Sequence, residues 1–218
     1  MSIFFTLLNK SFDKIIPLGE ECYTCQSIDI KFNEVNLRKK SFPFDYVGHS
    51  FLNNIIEKLK SNTLCVKEDI EIKQFGDKFF LHDSRFGFCY WHDTYYEKQE
   101  DFKENDITNF LEKYNRRYKR IYEAINCDQP TIFLSVNHFD NIYIDKTNKH
   151  ELIELFYHIK EKNKNCYLLA INHDDKSYFN NGLLSIKLNH ERAKKFNESK
   201  LEFSQKLNSF IKSSFNCT

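Results

Sequence analysis

Two uninterrupted apolar segments, separated by a stretch of helical periodicity, constrain the fold of this chain more than any other feature. Thr131–Val136 and Cys166–Ile171 show no regular alternation of polar and apolar residues, which is typical of strands buried on both faces of a sheet. The intervening Lys149–Asn163 has the length and spacing of a helix. A strand, a helix and a strand in this order predict two parallel strands joined by a right-handed crossover. We therefore expect an α/β fold.

Further segments extend this pattern along the chain. Additional strands are predicted at Asp13–Leu18 and Leu183–Leu188. The remaining predicted helices are Glu21–Ile30, Phe51–Lys60, Asp106–Ile125 and Glu191–Ile211. Together they predict a three-layer sandwich with a mainly parallel, Rossmann-like sheet.

The middle of the chain is expected to form a less regular, aromatic-rich insertion in this sandwich. Ile70–Leu81 alternates around Gly76-Asp77 and predicts a hairpin, and Phe86–Trp91 predicts another extended segment. The sequence has no internal repeat, low-complexity tract or long linker, so we expect residues 1–218 to form a single domain.

Charge and cysteine content limit the class of protein. The 32 basic and 31 acidic residues give a net charge of +1, so no overall field favours nucleic acid. The apolar run Ile3–Leu8 is too short to span a bilayer, and the polar residues after it are unlike a secretory signal. The 7 cysteines are odd in number and irregularly spaced, which favours reduced thiols. We expect a cytoplasmic protein with no transmembrane segment.

Cys22 is the strongest candidate for a reactive residue. It follows a predicted strand and the turn at Gly19, at the start of a predicted helix. The unpaired N–H groups and partial positive charge of a helix start stabilise a thiolate, so such a cysteine can act as a nucleophile. A buried structural thiol is the main alternative, and Cys22 with Cys25 also forms a redox-type C-x-x-C spacing. The sequence has no second C-x-x-C to complete a zinc site, so no metal is predicted.

Two histidines follow predicted strands. His138 lies just after Thr131–Val136, and His173 lies just after Cys166–Ile171. The carboxyl ends of parallel strands form the edge at which ligands bind, so either histidine is a candidate general base for Cys22. The alternative is an ordinary polar loop, because Asn, Asp and His are common at strand ends.

Two aromatic-rich segments supply further candidates. Trp91 precedes His92 and Asp93, and aromatic residues around this pair would form a surface for stacking a sugar or a base. Ser41–Tyr46 contains Phe44 and one acid, Asp45. It is too apolar for an exposed turn, so it either fills the core or forms the floor of a pocket. Arg38, Phe44 and Trp91 are candidates for binding a substrate, and the alternative for Arg38 is a structural ion pair with Asp45.

A group of arginines lies on the predicted helix Asp106–Ile125. Arg116 and Arg120 are one turn apart and share a face, and Arg117 also neighbours Arg120. Clustered guanidinium groups suit phosphate or carboxylate binding. A solvated helix face with Glu112 nearby is the alternative.

Taken in order, these segments resemble an uncharacterised family of bacteria and large DNA viruses that is classed with the papain-like cysteine peptidases. The resemblance covers residues 14 to 136. The matching motifs are Leu18-Gly19-x-x-Cys22, Leu37-Arg38, Ser41-x-Pro43-Phe44-Asp45-Tyr46, His92-Asp93 and Lys113-Tyr114-x-Arg116-Arg117. The chain departs from the family pattern at Glu21 and Tyr46, where the family tends to have Asn and Trp.

The resemblance implies a cysteine peptidase or acyl hydrolase with Cys22 as nucleophile and His92 as base. The further site residues it implies are Asp45, Asp93, Arg116 and Arg117. On this interpretation the substrate is a peptide, a glycan or a small molecule, and no cofactor is required.

A glycan-modifying transferase is the alternative function. The short strand, the Gly-x-x-Cys turn and the helix are similar to the opening of some capsule-associated acyltransferases. Arg116 and Arg117 would then hold the phosphates of a nucleotide-sugar or of coenzyme A, with Asp45 or Asp93 as base. A non-catalytic binding module is a third possibility, favoured if the aromatic loop only fills the core.

Overall fold

The computed structural model describes residues 14–19, 41–47, 52–91, 94–136, 149–171 and 178–186. These residues form a mixed α/β structure with two sheets. The predicted helices Glu21–Ile30 and Glu191–Ile211 lie outside the described residues. The α/β class expected from the sequence is confirmed.

The first sheet has four parallel strands in the order β1, β6, β7, β9. These strands are β1 (Lys14–Pro17), β6 (Thr131–Val136), β7 (Cys166–Ile171) and β9 (Leu183–Ile186). All six side chains of β6 are buried, as its apolar sequence predicts for a strand covered on both faces. The expected parallel pairing of β6 with β7 is confirmed, and α3 (Lys149–Lys162) lies between these two strands in the chain.

A fifth strand closes one edge of this sheet. The strand β8 (Tyr178–Asn180) pairs antiparallel with β9 through a two-residue turn at Asn181-Gly182. Both turn residues have positive φ, 47° at Asn181 and 105° at Gly182, which Asn and Gly tolerate best. Asn-Gly is a strong hairpin signal, and the sequence interpretation overlooked it.

The second sheet is antiparallel and is formed by the middle of the chain. Its strands are β2 (Ile70–Phe75), β3 (Lys78–Asp83), β4 (Phe88–Cys89) and β5 (Tyr95–Tyr96). The predicted hairpin is confirmed, with β2 and β3 joined at Gly76-Asp77 and Gly76 at a φ of 62°. Both β4 and β5 pair with β3 on the side opposite β2.

Two further helices precede and follow the antiparallel sheet. These are α1 (Leu52–Ser61) and α2 (Glu104–Ile125), close to the predicted bounds. The α2 helix begins where the Asp106 carboxylate accepts the N–H of Lys103 at 2.8 Å, which satisfies one free donor of the first turn. Short 3-10 helices lie at Pro43–Tyr46, Lys67–Asp69 and Gln99–Asp101.

The helices pack together and against the parallel sheet. α1 contacts α3, and α3 contacts β7. α1 is joined to α2 by the Tyr122 hydroxyl, which donates to the Lys58 carbonyl at 3.2 Å. One continuous apolar core includes Phe133 and Leu168 of the parallel sheet and Leu81 of the antiparallel sheet. Within the described ranges, no helix is long and apolar enough to cross a membrane.

Candidate functional site

The aromatic loop Ser41–Val47 packs into the protein core. Phe42 is extended, as expected before proline, and the 3-10 turn Pro43–Tyr46 follows it. Phe44 is fully buried and makes edge-on ring contacts with Phe88 at 5.5 Å and with Tyr118 at 6.0 Å between centroids. Of the two roles considered for this loop, Phe44 therefore performs the first, which is to fill the core.

Asp45 is the buried acid of this loop, with an exposed fraction of 0%. Its Oδ2 accepts the backbone N–H of Phe42 at 2.9 Å and so holds the turn closed. A fully buried carboxylate needs such hydrogen bonds, because an unpaired charge in the interior is costly. The structure thus gives Asp45 a positioning role within its own loop.

The three α2 arginines lie in different surroundings. Arg117 is buried, and its guanidinium lies 5.0 Å from the ring centroid of Tyr114. Arg120 donates to the Ser41 carbonyl at 3.0 Å and thereby joins α2 to the aromatic loop. Arg116 is exposed. Arg116 and Arg117 are adjacent in sequence, but they lie in different environments.

An open groove of about 660 Å³ runs along the exposed side of α2. We call it the α2 groove. Its basic residues are Arg116, Lys119 and Arg120. Glu112 and Glu123 also line it, but no ion pair between these acids and the three basic residues is found in the described part of the chain. The groove therefore offers guanidinium and ammonium groups to an anion.

A group of ionisable residues is buried where α1, α2 and the antiparallel sheet meet. We call it the Lys58 cluster, and its members are Lys58, Cys65, Asp83, Tyr90 and Tyr118. The ammonium of Lys58 lies 4.4 Å from the ring centroid of Phe86 and 4.5 Å from that of Tyr118. Such contacts are strongest away from water, so the two rings replace part of the lost hydration of the ammonium.

Asp83 holds the turn after β3 from within the Lys58 cluster. Its Oδ1 accepts the N–H groups of Arg85 at 3.1 Å and Phe86 at 3.0 Å. Its Oδ2 is buried and has no hydrogen-bond partner among the described residues. Burial raises the pKa of this carboxyl, and it lowers the pKa of the Lys58 ammonium.

The thiol and phenols of the Lys58 cluster are held in their neutral forms. Burial raises the pKa of the Cys65 thiol to about 12. Burial also raises the pKa values of Tyr90 and Tyr118, whose hydroxyls lie 3.4 Å apart. A thiol that stays protonated is a poor nucleophile, so Cys65 has a structural role.

Trp91 lies on the outer face of the antiparallel sheet. Its ring centroid is 4.6 Å from that of Phe75 and 5.5 Å from that of Phe80. Burial raises the pKa of the nearby Cys89 thiol. Trp91 therefore lies among aromatic rings, while the His92-Asp93 pair that follows it is outside the described residues.

Six candidate site residues lie outside the described residues. These are Cys22, Arg38, His92, Asp93, His138 and His173. Of the other candidates, Asp45 and Phe44 lie together in the aromatic loop, which contacts α2. Trp91 belongs to the outer sheet face, and Arg116 belongs to the α2 groove.

The sequence interpretation did not identify the Lys58 cluster. One signal was available, because Lys58 follows Ile55 by three positions and so borders the apolar stripe of α1. The described residues contain no group of three or more side chains suited to a metal ion.

The parallel sheet brings several strand ends together. Pro17 pairs with Leu134, and the Leu18 N–H donates to the Leu134 carbonyl at 2.7 Å, so β1 and β6 run side by side. Val136 pairs with Ile171 in the next strand. The carboxyl ends of β1, β6 and β7 therefore lie along one edge of the sheet.

No protein-family model, curated protein or solved structure matches the chain. Its function therefore has to be argued from its own residues and geometry.

Proposed function

We propose that the protein is a cysteine-dependent acyl hydrolase in which Cys22 is the nucleophile. The observation that carries the proposal is the parallel pairing of β1 with β6. The chain continues from β1 towards Cys22 and from β6 towards His138. A nucleophile and a general base that follow neighbouring parallel strands start from the same edge of the sheet.

Chain length supports this pairing of residues. Cys22 follows Gly19 by three positions, and His138 follows Val136 by two. Since a residue spans at most roughly 3.5 Å, the Cα atom of Cys22 lies within about 10.5 Å of that of Gly19, and the Cα atom of His138 lies within about 7 Å of that of Val136. Neighbouring strands are about 4.8 Å apart, so the two chain segments that lead to Cys22 and to His138 begin close together.

The proposed reaction follows the usual course of thiol catalysis. The Cys22 sulfur adds to the acyl carbon, and the imidazole of His138 or of His92 takes the thiol proton. Backbone N–H groups at the helix start hold the oxyanion. The tetrahedral intermediate expels the leaving group, which receives that proton, and water then hydrolyses the thioester. His92 is favoured by the family resemblance, and His138 by the strand order.

We also propose a three-layer, Rossmann-like arrangement for the parallel sheet. The six side chains of β6 alternate between the two faces of the sheet, and all six are buried. Both faces must therefore be covered, and α3 packs against the neighbouring strand β7. Such a covered parallel sheet supports a ligand site at its carboxyl edge.

The test is labelling of the native protein with a thiol-directed electrophile at neutral pH. We expect fast labelling that is lost in Cys22→Ser and retained in Cys25→Ser, the matched control three residues later in the sequence. Burial raises the pKa of Cys65 to about 12 and that of Cys166 to about 11, so these thiols contribute little background. Labelling that continues at an unchanged rate in Cys22→Ser would refute the proposal.

The α2 groove favours a second candidate, a glycan-modifying transferase. Arg116 and Lys119 line a groove of about 660 Å³, which suits the phosphates of a nucleotide-sugar or of coenzyme A. Arg117 is buried against Tyr114, so this version of the proposal uses Lys119 and Arg120 in its place.

The transferase is tested by thermal denaturation with UDP-glucose and with coenzyme A. We expect one of them to stabilise the protein, and Arg116→Ala to remove the effect. Lys98→Ala is the control, because it deletes an exposed positive charge from a different segment. Activity that survives in Cys22→Ala would favour the transferase over the hydrolase. Absence of stabilisation by either compound would exclude this use of the groove.

A further inference from the structure

Aromatic side chains collect on the outer face of the antiparallel sheet. Directly paired residues of antiparallel strands point to the same side of a sheet. Phe80 of β3 pairs with Lys73 of β2 and with Tyr95 of β5, so these side chains share one face. Phe75, two positions after Lys73, lies on the same face. The opposite face carries Leu81, which is fully buried in the core.

We call the surface formed by Phe75, Phe80, Trp91 and Tyr95 the aromatic face. Trp91 is inclined at 38° to the Phe75 ring and at 39° to the Phe80 ring. Phe80 is only 5% exposed, whereas Phe75 is 58% and Tyr95 is 60% exposed. Large exposed rings beside a sheet edge are a liability for a water-soluble surface, so their grouping here indicates a binding role.

The charges around the aromatic face are already matched. The Lys73 ammonium lies 2.9 Å from a Glu71 oxygen, and the Lys78 ammonium lies 3.0 Å from a Glu97 oxygen. The Nδ1 atom of His82 lies 3.1 Å from the same Glu71 carboxylate. Because each cation has a carboxylate beside it, the surface does not select a phosphate. It does offer hydrogen-bond donors and acceptors around apolar rings.

We propose that the aromatic face binds a hexose ring of a neutral oligosaccharide. The C–H face of a pyranose is apolar and packs on aromatic rings, while its hydroxyl groups require the donors and acceptors that Glu71 and Lys73 supply. A nucleotide would bring phosphates to a surface whose cations are already paired. A second copy of the chain would require a much larger interface than these four side chains provide.

This inference does not depend on the Cys22 chemistry. If the protein modifies glycans, the aromatic face supplies a surface for the acceptor chain. If the protein is a hydrolase, the face selects glycosylated substrates. Binding can therefore be measured in Cys22→Ala, so that failure of the reaction and failure of the binding site are observed separately.

Trp91 makes the test direct, because it is the only tryptophan in the chain. The probes are maltohexaose, cellohexaose, xylohexaose and mannohexaose, each titrated against the intrinsic fluorescence of the protein. We expect a saturable change with at least one of them. Phe75→Ala should weaken that binding about threefold to tenfold, because it removes one exposed ring. Calorimetric titration of the same oligosaccharide measures the affinity independently of the fluorophore.

Tyr157→Ala is the matched control, since it deletes a ring that is 49% exposed on α3. It should leave the affinity unchanged, and both variants should keep the melting temperature of the parent protein. No saturable binding of any oligosaccharide, or equal binding by Phe75→Ala, would overturn the proposal. Tighter binding of UMP than of the oligosaccharides, or self-association that Phe75→Ala abolishes, would also overturn it.

Discussion

The buried Cys65 thiol provides a quantitative test of the Lys58 cluster. Cys65 is 4% exposed, and burial raises its pKa from 9.0 to about 12. The folded state therefore holds the thiol proton more tightly than the unfolded state. The resulting stabilisation is fully present below the pKa of the thiol in the unfolded state, and it is lost as the pH rises from about 9 towards 12.

The magnitude follows from these two values. Between pH 8 and pH 10 the unfolded thiol loses most of its proton while the folded thiol keeps it, which lowers the free energy of unfolding by about 1.4 kcal/mol. Cys65→Ala removes this contribution. The variant is less stable than the parent at pH 8, and we expect that deficit to shrink by about 1.4 kcal/mol at pH 10.

Urea unfolding under reducing conditions, followed by Trp91 fluorescence at both pH values, measures this change. The contributions of other groups that titrate between pH 8 and pH 10 cancel, because the quantity compared is the difference in the free energy of unfolding between parent and variant. Val66→Ala is the control, since it changes a 45% exposed neighbour without an ionisable group. The free energy of unfolding of Val66→Ala should differ from that of the parent by the same amount at the two pH values. A Cys65→Ala deficit that does not change with pH would refute the argument.

Two other substitutions test local features of the fold. The Asn115 side chain accepts the Cys65 N–H at 2.7 Å and donates to its carbonyl at 3.0 Å, so Asn115→Ala should cost about 2 kcal/mol in the free energy of unfolding. Thermal denaturation measures this cost, and a loss below about 0.5 kcal/mol would contradict the assigned hydrogen bonds. Gly182→Ala should destabilise more than Gly76→Ala in the same assay. Both glycines have positive φ, but the 62° of Gly76 lies in the left-handed region that alanine can enter at some cost, whereas the 105° of Gly182 lies outside it. Equal losses would show that this difference in backbone conformation has no effect.

Hydrophobic patterning predicted the parallel sheet because its strands are buried on both faces. Thr131–Val136 and Cys166–Ile171 have the predicted bounds, and the helix between them ends one residue before the predicted Asn163. The hairpin at Gly76-Asp77 was also predictable, since glycine supplies the positive φ that its turn requires.

Tertiary packing decided the features that the sequence did not reveal. Lys58 is buried with its ammonium against the rings of Phe86 and Tyr118, and Asp83 is buried where it accepts two backbone N–H groups of the turn after β3. Residue type alone predicts exposure for both. The separation of Arg116 from Arg117 likewise depends on which side of α2 meets the core. The outer aromatic face arises from the register of β2, β3 and β5, which local patterning does not fix.

The nucleophilic role of Cys22 is the central claim, and the pH dependence of its alkylation tests it most directly. Cys22 and Cys25 fall in one tryptic peptide, so fragment-ion mass spectrometry compares the two thiols in the same sample. We predict that Cys22 reacts faster than Cys25, with an apparent pKa below the ordinary thiol value of about 8.5. A Cys22 that reacts no faster than Cys25, or only above that value, would contradict the proposed chemistry.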